Sequence, residues 1–303
     1  MSRVRFADLM EMAERGKYAV GYFESWNMES LLAVADAAER LKSPVILGFS
    51  GIYLPHPDRA FRDPLSDYAV LGTEVCERLA VPACLLFNES PDLEWVFEAV
   101  GSGFDLVMYT DENNSPEEQA KRTAELVRRA HGSGAAVEGE LVPLAGASGG
   151  VVEDPGDAAR EEVLTNLEQA LNFAGNTGVD ALAVDVGQIH LHGRRKLDLD
   201  IDHLENLRDA LDLPLVLHGA SSVSEKSLQA AIAAGIRKIN VGSTLKRTYF
   251  ERLKDACNTV APDYIPYDVV GSLNRGDVNV EARRALQRKV EELMVLFGSA
   301  GKA

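Results

Sequence analysis

"PLVLHGASSVSEKSLQAAIAAGIRKINVG" (214–242) sets two short apolar runs, "PLVLHG" (214–219) and "KINVG" (238–242), on either side of "SEKSLQAAIAAG" (224–235). The middle segment opens on a Ser that can cap a helix and ends on a Gly, which predicts an amphipathic helix. The flanking runs are continuously apolar rather than alternating, which predicts strands buried on both faces, as in a parallel sheet. The local unit is therefore strand, helix, parallel strand.

The same unit recurs along the whole chain. Six further candidate strands are "YAVGYF" (18–23), "PVILGF" (44–49), "ACLLF" (83–87), "DLVMY" (105–109), "AAVEGE" (135–140) and "ALAVDV" (181–186). Helical patterns lie between them, among them "MESLLAVADAAERL" (28–41) and "SPEEQAKRTAELVRRAH" (115–131). Eight strands alternating with helices over roughly 250 residues predict an α/β fold, the (β/α)8 TIM barrel. An open doubly wound sheet would call for a glycine-rich dinucleotide fingerprint after the first strand, and none follows it. No Ser/Gly/Pro-rich linker interrupts the 303 residues, so 1–303 is read as a single domain with a C-terminal helical extension near 279–303. Two connections are long, 50–67 and 141–162, and both are rich in Gly or Pro. Long loops of that kind inside a barrel point to lids or inserts.

Composition narrows the function classes. The chain is 46% hydrophobic and 26% charged, with a formal net charge of −16. Such a surface repels phosphate backbones and anionic lipid, so neither nucleic acid nor membrane is an expected partner. Cys76, Cys84 and Cys257 have neither metal-ligand nor disulfide-framework spacing, which suits buried or incidental thiols in a reducing compartment. The first twenty residues carry acidic side chains and no continuous apolar stretch, unlike a secretory signal. A cytoplasmic protein is the expectation.

A barrel places its chemistry at the carboxyl ends of its strands. Those ends carry Glu24, Ser50, Asn88-Glu89, Thr110-Asp111, Glu140, His190 with His192, His218 and Asn240. A lone His at a strand end is usually structural. Two His and two Glu converging on one mouth point to a site, and imidazole nitrogen with carboxylate oxygen suits a divalent ion such as Zn, Mn or Co. "HGASS" (218–222) and "NVGST" (240–244) follow the last two strands. Their small residues can cradle a phosphate where barrels commonly bind one, although tight turns alone would use the same residues.

With these residues in view, "PLVLHGASSVSEKSLQAAIAAGIRKINVGSTLK" (214–246) resembles the core motif of the class II, metal-dependent ketose-bisphosphate aldolases. The resemblance extends to 18–47, "GFDLVMY" (103–109), "AHGSGAAVEGEL" (130–141), "GVDALAVDVGQIH" (178–190) and "LFGSAGKA" (296–303). It implies a lyase that binds a phosphorylated sugar and a divalent metal, most often Zn, and that works as a homo-oligomer, dimer or tetramer. It implies metal ligation by His190 and His218, with Glu140 at an alternative ligand position. His192 competes with His190, because spacing from Gly187 favours one and the "HG" dipeptide the other. Gly219, Ser221 and Ser243 would contact the phosphate of a dihydroxyacetone-phosphate moiety, and Asn240 its ketol oxygens. Ser50 joins this substrate set. "GGVVED" (149–154) is one residue longer than the family's mobile catalytic loop, "GGxED", and Glu153 is its candidate base.

The third strand departs from the family pattern. Relatives end it in His-Leu-Asp-His-Gly, with the Asp as acid/base and the second His on the metal. Here it reads Leu86-Phe87-Asn88-Glu89-Ser90. Asn88 occupies the catalytic position but cannot exchange a proton near neutral pH, and Glu89 occupies the ligand position and can bind through oxygen. Glu24 replaces an Asn, Gly48 a Gln and Thr110 an Asp. The phosphate side is kept, while the side that handles the proton and the aldehyde half is rewritten, which makes Glu24 or Glu89 a candidate acid. Three functions follow: C–C cleavage of a phosphorylated ketose, isomerisation or epimerisation on the same site, or non-catalytic binding of a sugar phosphate.

Overall fold

Eight parallel strands close into a barrel in sequence order, β1 beside β2 and so on round to β8, which pairs with β1. They are β1 Val20–Ser25, β2 Val45–Ser50, β3 Ala83–Ser90, β4 Leu106–Tyr109, β5 Ala136–Glu140, β6 Ala181–Ala183, β7 Leu215–Leu217 and β8 Ile236–Val241. The computed structural model describes residues 2–141, 164–188 and 196–303. All eight expected strands are present, and the (β/α)8 reading of the sequence stands.

Each strand side chain faces either the barrel interior or the ring of outer helices. Val20, Tyr22, Ile46, Cys84, Leu86, Leu106, Ala181, Ala183 and Val216 pack inside. Phe6, Leu9, Met10 and Ala13 of α1 (Phe6–Gly16) join them. The segment before α1 bridges the first residue of β3, Arg3 to Ala83, so α1 plugs the amino-terminal end of the barrel. That leaves the carboxyl ends of the strands open. The outer helices are α2 (Met28–Leu41), α3 (Leu65–Arg78), α4 (Leu93–Gly101), α5 (Pro116–Gly132), α6 (Leu167–Thr177), α7 (Ile201–Ala210), α8 (Glu225–Ala234) and α9 (Ser243–Asn258). Their starts are capped: Asn27 and Ser30 form a reciprocal box on α2, Ser115 caps α5, and Ser224, expected from the sequence, caps α8, each satisfying orphan N–H groups of the first turn.

The C-terminal extension is a short α10 (Pro266–Val269) and a long α11 (Val278–Leu296). Helix α11 packs on α2 and α9 of the same barrel, with Phe297 stacked on Phe23 at 6.1 Å and Arg283 paired with Asp36 at 2.5 Å.

Strand β3 differs from its sequence reading in a way that shapes the site. It runs on to Ser90 instead of ending at Phe87, so Asn88 and Glu89 belong to the strand. Its register with β4 shifts between Phe87 and Ser90, and Glu89 has φ 52°, the left-handed region that a residue with a Cβ seldom enters. A bulge breaks the strict alternation of a strand. Here it lets neighbouring residues 88 and 89 both reach the barrel mouth.

Candidate active site

Interior positions of β5 and β8 recur every second residue. Glu138 and Glu140 therefore face inward from one strand, and Lys238 and Asn240 from the other. Glu138 and Lys238 are fully buried, and His218, just beyond β7, is 1% exposed. The side chains form a closed ring. Glu138 Oε1 lies 2.7 Å from His218 Nε2, and Glu138 Oε2 lies 2.7 Å from Lys238 Nζ. Lys238 Nζ donates to Asn240 Oδ1 at 2.5 Å, and Asn240 Nδ2 donates to Asn88 Oδ1 at 3.2 Å. Asn88 Nδ2 donates to Glu89 Oε2 at 2.8 Å. Glu89 Oε1 sits 2.8 Å from His218 Nδ1 and closes the circle, with Glu140 Oε1 at 3.6 Å from the same nitrogen.

Charge explains why such a cluster can be buried. His218 is held protonated, its pKa pushed up to about 10. Burial alone would lower it, and the combined pull of Glu89, Glu138 and Glu140 outweighs burial. Glu138 stays below its ordinary value although burial opposes ionisation, because Lys238 and His218 both face it. Glu140 goes the other way, to about 8: burial dominates, the charge of Glu89 adds to it, and His218 and a hydrogen bond from Thr110 oppose it. The site thus holds two carboxylates matched to two cations and a third acid that keeps its proton near neutral pH.

A second group lies between the ends of β1 and β8. Glu24 Oε1 is 2.6 Å from Lys246 Nζ, which also lies 4.0 Å from the centre of the Tyr53 ring. Burial raises the Glu24 pKa against the pull of Lys246. A Cβ on Gly242 would come within 2.3 Å of Glu24 Oε2, so this carboxylate end lies directly against the glycine at the start of α9. Glu24, Ser50, Tyr53, His56, Arg59 and Lys246 help line a cavity of about 500 Å³ beside the barrel mouth. Gly219 turns the chain after β7 with φ 63°, into a single 3-10 turn at Ala220–Ser222. The Ser221 carbonyl accepts from Lys196 at 2.7 Å, and Ser243 opens α9.

Residues 4–302 match the family model described as "Fructose-bisphosphate aldolase class-II". The chain belongs to the class II fructose-bisphosphate aldolase family. A sulfofructosephosphate aldolase of Alkalicoccus urumqiensis is 29% identical over the whole of this chain and 99% of its own length. A fructose-bisphosphate aldolase of Geobacillus stearothermophilus is 30% identical, with 100% and 99% covered. Among solved structures, the YdjI aldolase of Escherichia coli K12 superposes with a TM-score of 0.78 at 27% identity, over 99% of each chain. Class II aldolases are lyases that act on ketose phosphates and generally depend on a divalent metal, and this chain is an aldolase-type lyase of that family.

Against this family background, the structure brings Asn88, Glu89, Glu140, His218 and Asn240 into one cluster and sets Glu24 and Ser50 on the adjoining cavity. His190, its competitor His192, and Glu153 lie outside the described residues. Among the described residues, no group of three or more His, Cys, Asp or Glu side chains is spaced to hold a metal ion, and His218 and Glu89 are closed on each other as an ion pair. The donor chemistry itself fits a metal. His218 Nδ1 is buried without an aligned hydrogen bond and faces two carboxylates. Its other nitrogen is fixed by a third carboxylate, the arrangement that orients a ligating imidazole.

Sequence reasoning missed Glu138 and Lys238. The signal was available: in "AAVEGE" and "KINVG" each sits two residues before a residue already singled out, on the same face of its strand. Attention to strand ends alone hid them. Thr110, read as a polar strand-end residue that departs from the family pattern, is the hydrogen-bond donor to Glu140, at 3.2 Å. No helix among the described residues is long and apolar enough to cross a membrane.

Proposed function

We propose that this chain cleaves, and in reverse forms, the C–C bond of a phosphorylated ketose, releasing dihydroxyacetone phosphate or a close analogue, with a divalent cation held at His218. The carrying observation is the His218 imidazole, pinned through Nε2 by buried Glu138 so that Nδ1 faces Glu89 and Glu140. His218, Glu89 and Glu140 would hold the ion together with His190. A bound cation would supply a Lewis acid for the ketose carbonyl and for the negative charge that cleavage leaves. Zn is the first candidate. A carboxylate in place of an imidazole makes the donor set harder, which favours Mn or Co more than a three-imidazole site does.

The chain's own groups then divide the remaining work. Gly219, Ser221 and Ser243 stand where turn and helix N-terminus offer N–H and hydroxyl donors to a phosphate. Asn240 presents its amide to the ketol oxygens. Its own orientation is fixed, since Lys238 donates to its oxygen. Asn88 cannot carry a proton, so that duty passes to a carboxyl group. Glu24, buried with a raised pKa beside the 500 Å³ cavity, can hold a proton for the aldehyde half, with Ser50 on the same wall. Glu153 remains the loop candidate for the base. Relatives are named for fructose bisphosphate and for sulfofructose phosphate, so both classes belong in the test. Purified protein loaded in turn with Zn, Mn or Co, and given fructose bisphosphate, tagatose bisphosphate or sulfofructose phosphate, should release triose phosphate. Isomerised sugar without cleavage, or binding with no turnover, would replace this reading with one of its two rivals.

A further inference from the structure

The ring in the barrel mouth has a direction. Lys238 has only protons to give and Glu89 only lone pairs, and two amides stand between them. Lys238 must donate to Asn240 Oδ1, which turns Asn240 Nδ2 toward Asn88, at 3.2 Å. That donor requires an acceptor at Asn88, so Asn88 Oδ1 faces it, and Asn88 Nδ2 is left to donate to Glu89 at 2.8 Å. The Asn88 amide accepts on one side and donates on the other. An ionised Asp at position 88 would still accept from Asn240 but would set a second carboxylate against Glu89, inside a site where Asn88 is 3% exposed. The strained backbone of Glu89, φ 52°, holds its side chain where this amide can reach it.

We propose that Asn88 is a positioning residue: its amide ties Asn240, on the ketose-binding side, to the Glu89–His218 pair, on the ion-binding side, and it is an amide because residue 89 is a glutamate. The first half of this statement rests on the function proposed above. Asn88 is thus no vestige of a lost acid. Residues 88 and 89 form one unit, and exchanging either alone breaks a chain of donors that runs from Lys238 to His218. Glu138 closes the same chain from the other side, so the orientation of the His218 ring and of the Asn240 amide are set together.

Two measurements test this. The first is a double-mutant cycle on the ligand-free protein at pH 8, with Asn88→Asp and Glu89→Gln made singly and together and read as urea unfolding midpoints. Asn88→Asp should lower the midpoint clearly with Glu89 present and little or not at all with Glu89→Gln, since the glutamine amide can then donate to the new carboxylate. An equal loss in both backgrounds would overturn the link. The second is titration with Mn²⁺, following free Mn²⁺ by electron paramagnetic resonance. Asn88→Ala removes no ligand atom, yet should weaken Mn²⁺ binding about 10–100-fold, as loss of an orienting partner does. Unchanged Mn²⁺ affinity alongside lower stability would reduce Asn88 to a purely architectural role and overturn the proposal. Should Asn88→Ala fail to fold, the near-isosteric Asn88→Leu, which also adds no ligand atom, carries the same Mn²⁺ comparison with the same two outcomes. Wild-type protein that binds no Mn²⁺, Zn²⁺ or Co²⁺ would overturn the functional reading and the positioning role together, while the unfolding cycle would still decide the Asn88–Glu89 link by itself.

Discussion

Replacing Lys238 with methionine keeps the length of the side chain and deletes its charge. Lys238 and Glu138 are both fully buried, and Nζ lies 2.7 Å from Glu138 Oε2. Without the cation, Glu138 keeps only His218 as a partner among the described residues, and Asn240 Oδ1 loses its Lys238 donor. Removing one member of a buried pair costs about 3–5 kcal/mol, because the charge left behind is neither solvated nor matched. That is a large share of the roughly 5–15 kcal/mol that holds a typical domain folded. Lys238→Met should therefore lose about 3–5 kcal/mol in urea unfolding of the ligand-free protein. Adding Glu138→Gln should return at least about 2 kcal/mol, since no carboxylate then remains uncompensated. A single variant within about 1 kcal/mol of wild type, or a double variant no better than the single, would refute the view that this pair is matched charge at the centre of the barrel.

Further outcomes follow from the same geometry. Glu140 has its pKa raised from 4.5 to about 8, so the folded state holds its proton more tightly than the unfolded state and stability falls as pH rises between those values. His218, raised from 6.5 to about 10, contributes fully below 6.5 and loses that contribution as pH climbs to 10. Each group acts with a slope of up to about 1.4 kcal/mol per pH unit. Urea midpoints should thus decline from pH 6 to 9, and Glu140→Gln should flatten the part below pH 8. A Cβ on Gly48 would lie 2.1 Å from the Leu86 carbonyl oxygen, a backbone atom that cannot step aside. Gly48→Ala should therefore lower the melting temperature, by overpacking worth about 1–3 kcal/mol. Ser221→Ala or Ser243→Ala should weaken dihydroxyacetone phosphate binding in calorimetry by about 1–3 kcal/mol, with metal content unchanged.

How much of this could be read from sequence depends on how local its cause is. Continuous apolar strands, a helix cap such as Ser224, and the order of the elements are local, and they gave the barrel. The inward pair Glu138 and Glu140 is also local, a matter of counting by two along β5, yet Glu138 looks unremarkable until β8 sets Lys238 opposite it across 100 residues. Asn88 and Glu89 stood out as site candidates, but how both reach the mouth was not legible. Strict alternation would send one of them outward, and only a bulge with residue 89 at φ 52° turns both toward the mouth. Gly242 is similar: the sequence shows a small residue in a candidate cradle, and the structure shows that Glu24 takes up the space a side chain would need.

The proposed role of the site is to remove or return a proton on a ketol held by a metal-dependent cluster centred on His218. It can be tested without knowing the aldehyde partner. Dihydroxyacetone phosphate incubated with the Zn- or Mn-loaded protein in deuterium oxide should take up one deuterium at its hydroxymethyl carbon, followed by proton magnetic resonance. Exchange should stop on chelation, return on adding metal back, and be absent in His218→Ala. Exchange that continues unchanged after chelation, or in His218→Ala, would contradict the account.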